Sequence, residues 1–542
     1  MSTLKYQVNQ IQEMKKTRLC SWYLVPALIL ILIVNTRCAT TLVRELRQPP
    51  VTSADSSIND VRVHMNDGSL YVLDIFDLDN NSDTAYGFGV YYDKYRDVIS
   101  TNTDPAGQWI DDRFSIALPD IALVEVNQIK NKMTGKILGI SLLSVATISM
   151  TAYCLANPKA CFGSCPTFYF WDGTDTTLMA EGFSSSILRK YESDDIDMLY
   201  HARPADSTFT MRLTNEALET HVIRYANLML LPRGAGERVF ATEEGEFFQT
   251  SDIHPPESCK APEGNSVELM RSMDKKERYS LSDGHNLISK ESVELTFTDV
   301  PDGEIGLILG CRQTFMTTYL FYQGLAYLGR SAGYFAARIE SGDRLPQRKF
   351  DRIKDLLGAI EVFIQDSGGR WIRAGEISES GPIASDVHLI KLPETGSAEV
   401  KIKLRMTKGL WRIDYAAVGR LVKEADPIIV EPSEVVAKNN SDTGAEMLMK
   451  DRQETLITLP GDVYEMKFRI PDPGDDYDLY LKSRGYYLEW MRETWLEEEN
   501  HFKAALFFGF PGFYLRHAGS DFKKVEDELE DSFWNSRYVR KN

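Results

Sequence analysis

The sequence predicts a mainly β protein with some α: a small β-barrel or roll, an antiparallel, jelly-roll-like β-sandwich region, one hydrophobic helix and a C-terminal helical segment. Three observations predict it. Ala359–Ile364 and Val400–Met406 alternate apolar and polar side chains with the period of a half-buried strand. Such runs are punctuated by Asp67-Gly68, Asp172-Gly173 and Gly368-Gly369, pairs that supply the backbone angles of tight turns. Two stretches, Thr318–Glu340 and Tyr477–Tyr538, shift instead to helical spacing.

A chain of 542 residues is too long for one ordinary domain, and 43% hydrophobic with 11% aromatic residues is enough to build several cores. The net charge of −18 opposes nucleic acid as a partner, because phosphate binding requires clustered Lys and Arg.

The first 37 residues read as a signal or anchor segment. A basic start (Lys15, Lys16, Arg18) precedes the apolar, uncharged run Ser21–Val34, which is shorter than the ~20 residues of a bilayer span. Cys38 follows at the place where bacterial lipoproteins are cut and acylated, although Arg37 departs from the small neutral residues favoured beside such a cysteine. A lipid on Cys38, an uncleaved helix and ordinary cleavage all remain open, and all carry the remaining chain out of the cytoplasm to the cell envelope. Residues 38–60, with Pro49-Pro50 and a Ser/Thr-rich continuation, read as a linker.

Residues 61–130 are expected to form the small β domain, opening on a hairpin, Val63–Val72. Residues 131–160 hold the hydrophobic helix. Ile137–Ala156 carries no charge and matches the length of a membrane span, but its Ser and Thr residues dilute its apolarity. Lys130, Lys132 and Lys136 lie on the wrong side for an exported preceding domain, so a span, a membrane-dipping hairpin and a buried helix stay open. The membrane is therefore an expected partner, through a lipid anchor, through residues 137–156, or through both.

Residues 161–300 read as a further β domain. Cys161 and Cys165 are near enough in sequence for a local disulfide in an oxidising compartment. Their spacing, with no matching Cys or His pair downstream, gives no metal site. Two strands carry distinctive patterns: Ser164-Cys165-Pro166 with Tyr169 and Asp172-Gly173, and Asn215-Glu216 with Glu219-Thr220-His221. On a strand Glu219 and His221 share a face that Glu216 does not, which is too few ligands for a metal; the set reads as a solvated face. In these patterns the chain resembles an uncharacterised family of exported, lipoprotein-like bacterial envelope proteins, over residues 137–231 with weaker echoes to residue 420. The resemblance implies an envelope location and a β-rich fold, and no activity.

Residues 301–345 return to strands and then become a helical insertion. Inside it, Gly329-Arg330-Ser331-Ala332-Gly333 matches the G-x-S-x-G nucleophile elbow, with Asp386 and His501 or His517 following in hydrolase order. The elbow requires a buried strand before the serine, whereas Tyr319–Leu328 reads as helix, so Ser331 is a weak catalytic candidate.

Residues 346–430 form the sandwich region, which looks like the jelly-roll, carbohydrate-binding-like modules of extracellular proteins. Trp371, Trp411 and Tyr415 are candidates for stacking on a sugar, although the sandwich core is the favoured place for them, since aromatics dominate such cores. Residues 431–475 read as linker and strands, with a polar stretch at Ala437–Ala445, and residues 476–542 as the aromatic-rich helical end. No cofactor motif, phosphate loop or metal cluster is present in the sequence. The composite expectation is a non-enzymatic envelope protein that binds another protein or a polysaccharide. Its rivals are an exported serine hydrolase using Ser331 and a two-span membrane protein.

Overall fold

The computed structural model describes residues 41–47, 61–65, 69–79, 83–92, 98–102, 113–130, 165–171, 176–204, 207–217, 219–329, 331, 332, 335, 339, 344–378, 380–394, 396–438, 455–458, 461–489 and 498–535. The run Ser21–Val34, Cys38, Ile137–Ala156 and Cys161 lie outside them. Among the described residues the fold is mainly β, with five sheets, and no helix is long and apolar enough to cross a membrane.

The N-terminal sheet is antiparallel and has seven strands. Thr41–Arg47 pairs along its whole length with Ile121–Lys130, so part of the expected linker is sheet. Val61–Met65 and Leu70–Asp79 form the expected hairpin, with Arg62 opposite Val72. Alternation puts Val61, Val63 and Leu73 on one face, and a bulge between Leu73 and Ile75 returns Phe76 to it, where they pack with Ala85, Ile116 and Val124.

The sandwich is assembled from two separated parts of the chain. One sheet runs Ser193–Met198, Tyr477–Glu489, Glu219–Pro232, Ile428–Val430, with Leu456–Thr458 also on Glu219–Pro232. The facing sheet runs Glu434–Ala437, Val463–Arg469, Thr208–Thr214, Thr167–Trp171, Thr176–Glu181. Phe168, Met211, Leu213, Leu228, Leu230, Met466, Phe468 and Leu479 fill the space between them.

Tyr477–Glu489, expected to be helical, is therefore a strand, and among the described residues beyond it the first helix is His501–Gly509. The reason is burial on both faces. Tyr477, Leu479 and Leu481 enter the sandwich, while Tyr480 enters a second core and donates its hydroxyl to the Val239 carbonyl at 2.8 Å. A strand buried on both sides loses the polar alternation that identifies strands in sequence. Within it Gly485 lies opposite Ile223, and an added Cβ would lie 2.4 Å from the Val222 carbonyl oxygen and 2.8 Å from the Phe183 ring. Gly485→Ala is expected to cost about 2 kcal/mol in urea unfolding, the usual penalty of overpacking a tight core. An unchanged midpoint would show that the pair can part without loss.

Between the two halves of the sandwich the chain builds a barrel and an outer sheet. The barrel closes in the order Arg238–Ala241, Asp386–Lys391, Ile305–Gln313, Trp411–Glu424, Phe247–His254, the last pairing again with the first. Arg278–Tyr279 adds to the edge of Trp411–Glu424. The outer sheet contains Ser258–Ala261, Lys290–Phe297, Val400–Thr407, Ile360–Gln365 and Trp371–Ile377. The strands of residues 346–430 are thus divided among the barrel, the outer sheet and, through Ile428–Val430, the sandwich, and many pair with strands drawn from residues 258–313.

Helices close the open side of the core between barrel and outer sheet. They are α1 (Met316–Leu328), α2 (Arg344–Leu357), α3 (His501–Gly509), α4 (Pro511–Leu515), α5 (Gly519–Phe522) and α6 (Glu526–Asn535). Asn500 caps α3 by accepting the Lys503 N–H at 3.0 Å, and Pro511 opens α4, where a missing N–H costs nothing. Phe507, Leu515, Phe522 and Leu529 carry the helices into the same core as Leu307, Leu309, Leu404 and Trp411.

Candidate binding cleft

The strand Ile305–Gln313 is buried almost throughout, and its apolar run ends in Arg312. A guanidinium there must find carboxylates, because an unpaired buried charge is severely penalised. Arg312 donates Nε and Nη2 to the two carboxylate oxygens of Glu277 at 2.5 and 2.6 Å, Nη2 also to Glu530, and Nη1 to the Pro382 carbonyl at 2.7 Å. Arg412, on the neighbouring strand, pairs with Glu277 at 3.4 Å and with Glu530. The four side chains close a ring in which each carboxylate joins both arginines. Burial alone would lower the Arg312 pKa; Glu277 and Glu530 outweigh it and hold the charge.

This ring forms part of the wall of a cavity of about 860 Å³ bounded by the barrel, the strand Arg278–Tyr279 and helix α6. Its polar lining also includes Tyr200, His201, Lys275, Tyr279, Asp414, Glu526 and Asp527, and its apolar part Leu178, Phe315 and Phe522. The Arg412 guanidinium covers one face of the Tyr279 ring at 3.9 Å, and the tyrosine remains substantially exposed.

A bulge shapes the same wall. Gly310 is opposite Tyr415 and Cys311 opposite Ile413, which leaves Asp414 unmatched. The extra residue reverses the faces of the strand: Trp411 and Ile413 enter the core beneath the outer sheet, whereas Tyr415 and Ala417 enter the opposite one. Asp414 lines the cleft and accepts the backbone N–H groups of Asp274 and Lys275 at 3.3 and 3.0 Å. Burial, with Glu277 and Asp274 nearby, raises its pKa to about 6 despite those bonds.

A second, less polar cavity of about 450 Å³ lies on the other side of the segment Ser380–Ser385. Its lining includes Cys165, Glu181, Phe321, Phe350 and Tyr487, and Tyr322, which donates its hydroxyl to Glu489. Glu181 Oε2 accepts the Ile383 N–H at 2.7 Å, while Oε1 is buried with no hydrogen-bond partner. Burial pushes this carboxyl up to about 7.

The structure disperses the residues singled out in the sequence. Trp411 is fully buried, Tyr415 packs near Tyr200 at 5.9 Å between ring centroids, and Trp371 is covered by the Lys403 ammonium at 4.2 Å. No shared stacking platform results. Cys165 is a buried free thiol directed at the Ser184 carbonyl at 3.7 Å. Ser331 is helical and half-buried, and what precedes it is helix α1, not the strand of a nucleophile elbow. Gly329 is a helix terminator with φ of 52°, where an added Cβ would lie 2.6 Å from the Glu499 side chain. The pentapeptide's first glycine therefore has a structural cause. Of the proposed partners, Asp386 accepts the Met198 N–H at 2.9 Å, His501 pairs with Glu499 at 3.0 Å, and His517 bonds the Phe513 carbonyl at 2.7 Å. Glu219 and His221 share a face as expected, but it is an interior one: they meet at 2.8 Å and both are fully buried. Glu216 accepts the Tyr169 hydroxyl at 2.9 Å. Among the described residues no cluster of His, Cys, Asp and Glu could hold a metal ion.

No family model matches the chain, and the search of curated proteins finds no match. Solved structures give only faint similarity. One is BuGH86wt in complex with neoagarooctaose, with TM-score 0.15, 7% identity, and coverage of 40% of this chain and 33% of that one. Another is a β-porphyranase of glycoside hydrolase family 86 from the human gut bacterium Bacteroides plebeius, with TM-score 0.15, 8% identity, and coverage of 40% and 35%. The matches span about a third of each enzyme, and similarity at this level supports no functional argument.

Proposed function

We propose that this chain is a non-enzymatic binding protein of the cell envelope, attached to the membrane through Cys38 or residues 137–156. Its 860 Å³ cleft would receive an uncharged, hydroxyl-rich ligand such as a segment of polysaccharide. The observation that carries this reading is the closed ring of Glu277, Arg312, Glu530 and Arg412. Its charges neutralise one another inside the cleft, so the ring presents polar groups without favouring an anionic or a cationic guest. It also engages each of the two carboxylates, Glu277 and Glu530, with both arginines. The exposed part of Tyr279 adds an apolar surface of the kind that receives a sugar face.

Isothermal titration with neutral cello-, malto- and chito-oligosaccharides tests the proposal. Binding of at least one series is expected, without hydrolysis, and Tyr279→Ala should weaken it about tenfold, equivalent to about 1.4 kcal/mol. Ser331→Ala should leave binding unchanged. Cleavage of the bound chain, or equal affinity in the Tyr279 variant, would remove the reading.

A further inference from the structure

The outward surface of helices α2, α3 and α4 combines two features that are unusual on this chain. Helix α2 exposes Arg344, Arg348, Lys349, Arg352 and Lys354 against only two acidic residues, Asp351 and Asp355, in a protein with a net charge of −18. Its apolar side, through Ile353 and Leu357, turns down into the core and so leaves the basic face to solvent.

Helices α3 and α4 bury Ala504, Phe507, Phe508 and Leu515, as amphipathic helices should. They nevertheless leave three more phenylalanines outside: Phe502 is 74% exposed, Phe510 66% and Phe513 55%. Single exposed apolar residues need no explanation, but three large aromatics within twelve positions mark a contact surface. The break at Pro511-Gly512 places Phe510 and Phe513 on either side of a corner. At that corner a Cβ on Gly512 would lie 3.8 Å from the Leu356 side chain of α2, so the aromatic and basic surfaces adjoin. Arg516, also exposed, extends the positive charge past the end of α4.

We infer that this face docks on an anionic lipid bilayer, its phenylalanines entering the boundary between headgroups and acyl chains and its arginines and lysines pairing with lipid phosphates. Aromatics flanked by basic residues are the arrangement that interfacial helices use. Each Lys or Arg near an anionic leaflet adds to the attraction, which falls away within a Debye length. The charge of the rest of the chain helps by repulsion: a body with a net charge of −18 meeting an anionic membrane is turned until this basic face leads. A protein partner would not need the positive charge beside the aromatics. The inference is independent of the cleft and of its ligand.

Hydrogen–deuterium exchange on the full chain tests it, because the readout is local and does not depend on whether Ser21–Val34 or Ile137–Ala156 also holds lipid. With vesicles of phosphatidylglycerol mixed into phosphatidylcholine, peptides covering 344–357 and 501–516 should exchange several-fold more slowly. Pure phosphatidylcholine should give little protection. The effect should be lost in an Arg348→Glu/Lys349→Glu variant and in Phe510→Ser/Phe513→Ser, substitutions at exposed positions that leave the core intact. Equal protection by neutral vesicles, protection that survives in both variants, or bound vesicles with these peptides unprotected would each overturn it.

Discussion

Replacing Arg278 by Met is expected to lower the unfolding free energy by about 3–5 kcal/mol, the cost of removing one partner from a buried ion pair. Arg278 is fully buried and holds two carboxylates: Glu263 through Nε and Nη2 at 2.7 and 2.9 Å, and Glu291 through Nη1 at 2.7 Å. Glu291 would be left with the Ser280 hydroxyl at 2.8 Å, and its other oxygen already has no hydrogen-bond partner. The damage should reach the cleft as well. Glu277 and Tyr279, its neighbours in sequence, both line the cavity, so the buried arginine fixes the wall that the ligand would meet. Urea unfolding at neutral pH should show a lowered midpoint with an unchanged slope. Arg278→Lys should recover only part of the loss, because an ammonium cannot reproduce the two-pronged contact with Glu263. Arg278→Met combined with Glu291→Gln should be less damaging than the single change. A single variant within about 1 kcal/mol of the parent would contradict the assignment, since that is what an exposed pair is worth.

The second large effect is on pH dependence and belongs to Glu181. Its pKa in the folded chain, about 7, exceeds the ordinary 4.5 because it is buried. Between those two values the folded protein keeps a proton that the unfolded chain has released. Stability therefore falls as pH rises from 4.5 to 7 and is level above, by about 3 kcal/mol in total. Several groups surround the carboxyl. Cys165 and the Ile383 and Ala384 N–H groups favour its ionised form, as does Arg312 at longer range. Glu181 in turn helps to raise Asp197, which is pushed up first by burial and by Asp195 and Asp386 and has a slope of the same sign. Asp414, raised to about 6, has a slope of the same sign, so the measurement is a difference between variants. Glu192, Asp194, Glu263 and Glu361 are all held low and act below the ordinary carboxylate range, in the opposite sense. Glu181→Gln should match the parent near pH 4.5 and exceed it by about 3 kcal/mol at pH 8. Parallel stability curves would show that the carboxyl ionises normally.

The parts of this molecule that were legible in the sequence are those with one wet face. Val400–Thr407 alternates buried and partly exposed residues along most of its length, and the hairpin around Val61–Val72 needed only its turn signal and its flanking strands. Tyr477–Glu489 was not legible, because it lies between two cores and carries no alternation. Glu219 and His221 misled for a related reason: polar residues on a strand suggest water, yet these two satisfy one another inside. The cleft was the least visible feature. Its ring draws Glu277, Arg312, Arg412 and Glu530 from four distant segments, and only the closed barrel with the returning C-terminal helices brings them together. One local signal did exist in Ile305–Gln313, where an arginine follows an unbroken apolar run that leaves it no route to solvent.

The long insertion within the sandwich has a consequence for how the molecule is made. Glu219–Pro232 finds its main partner only in Tyr477–Glu489, about 250 residues later, so that sheet cannot close until the chain has been made through residue 489. Pairings between such remote segments are slow, and the waiting edge is prone to adhere to other chains. The barrel and outer sheet, whose strands lie between those two segments, can condense first and bring the late-arriving strand into register. Synthesis order thus makes Tyr477–Glu489 the latch of the sandwich, and a chain stopped before residue 477 would hold a barrel and outer sheet still lacking the helices that cover their core, beside a sandwich with an open edge.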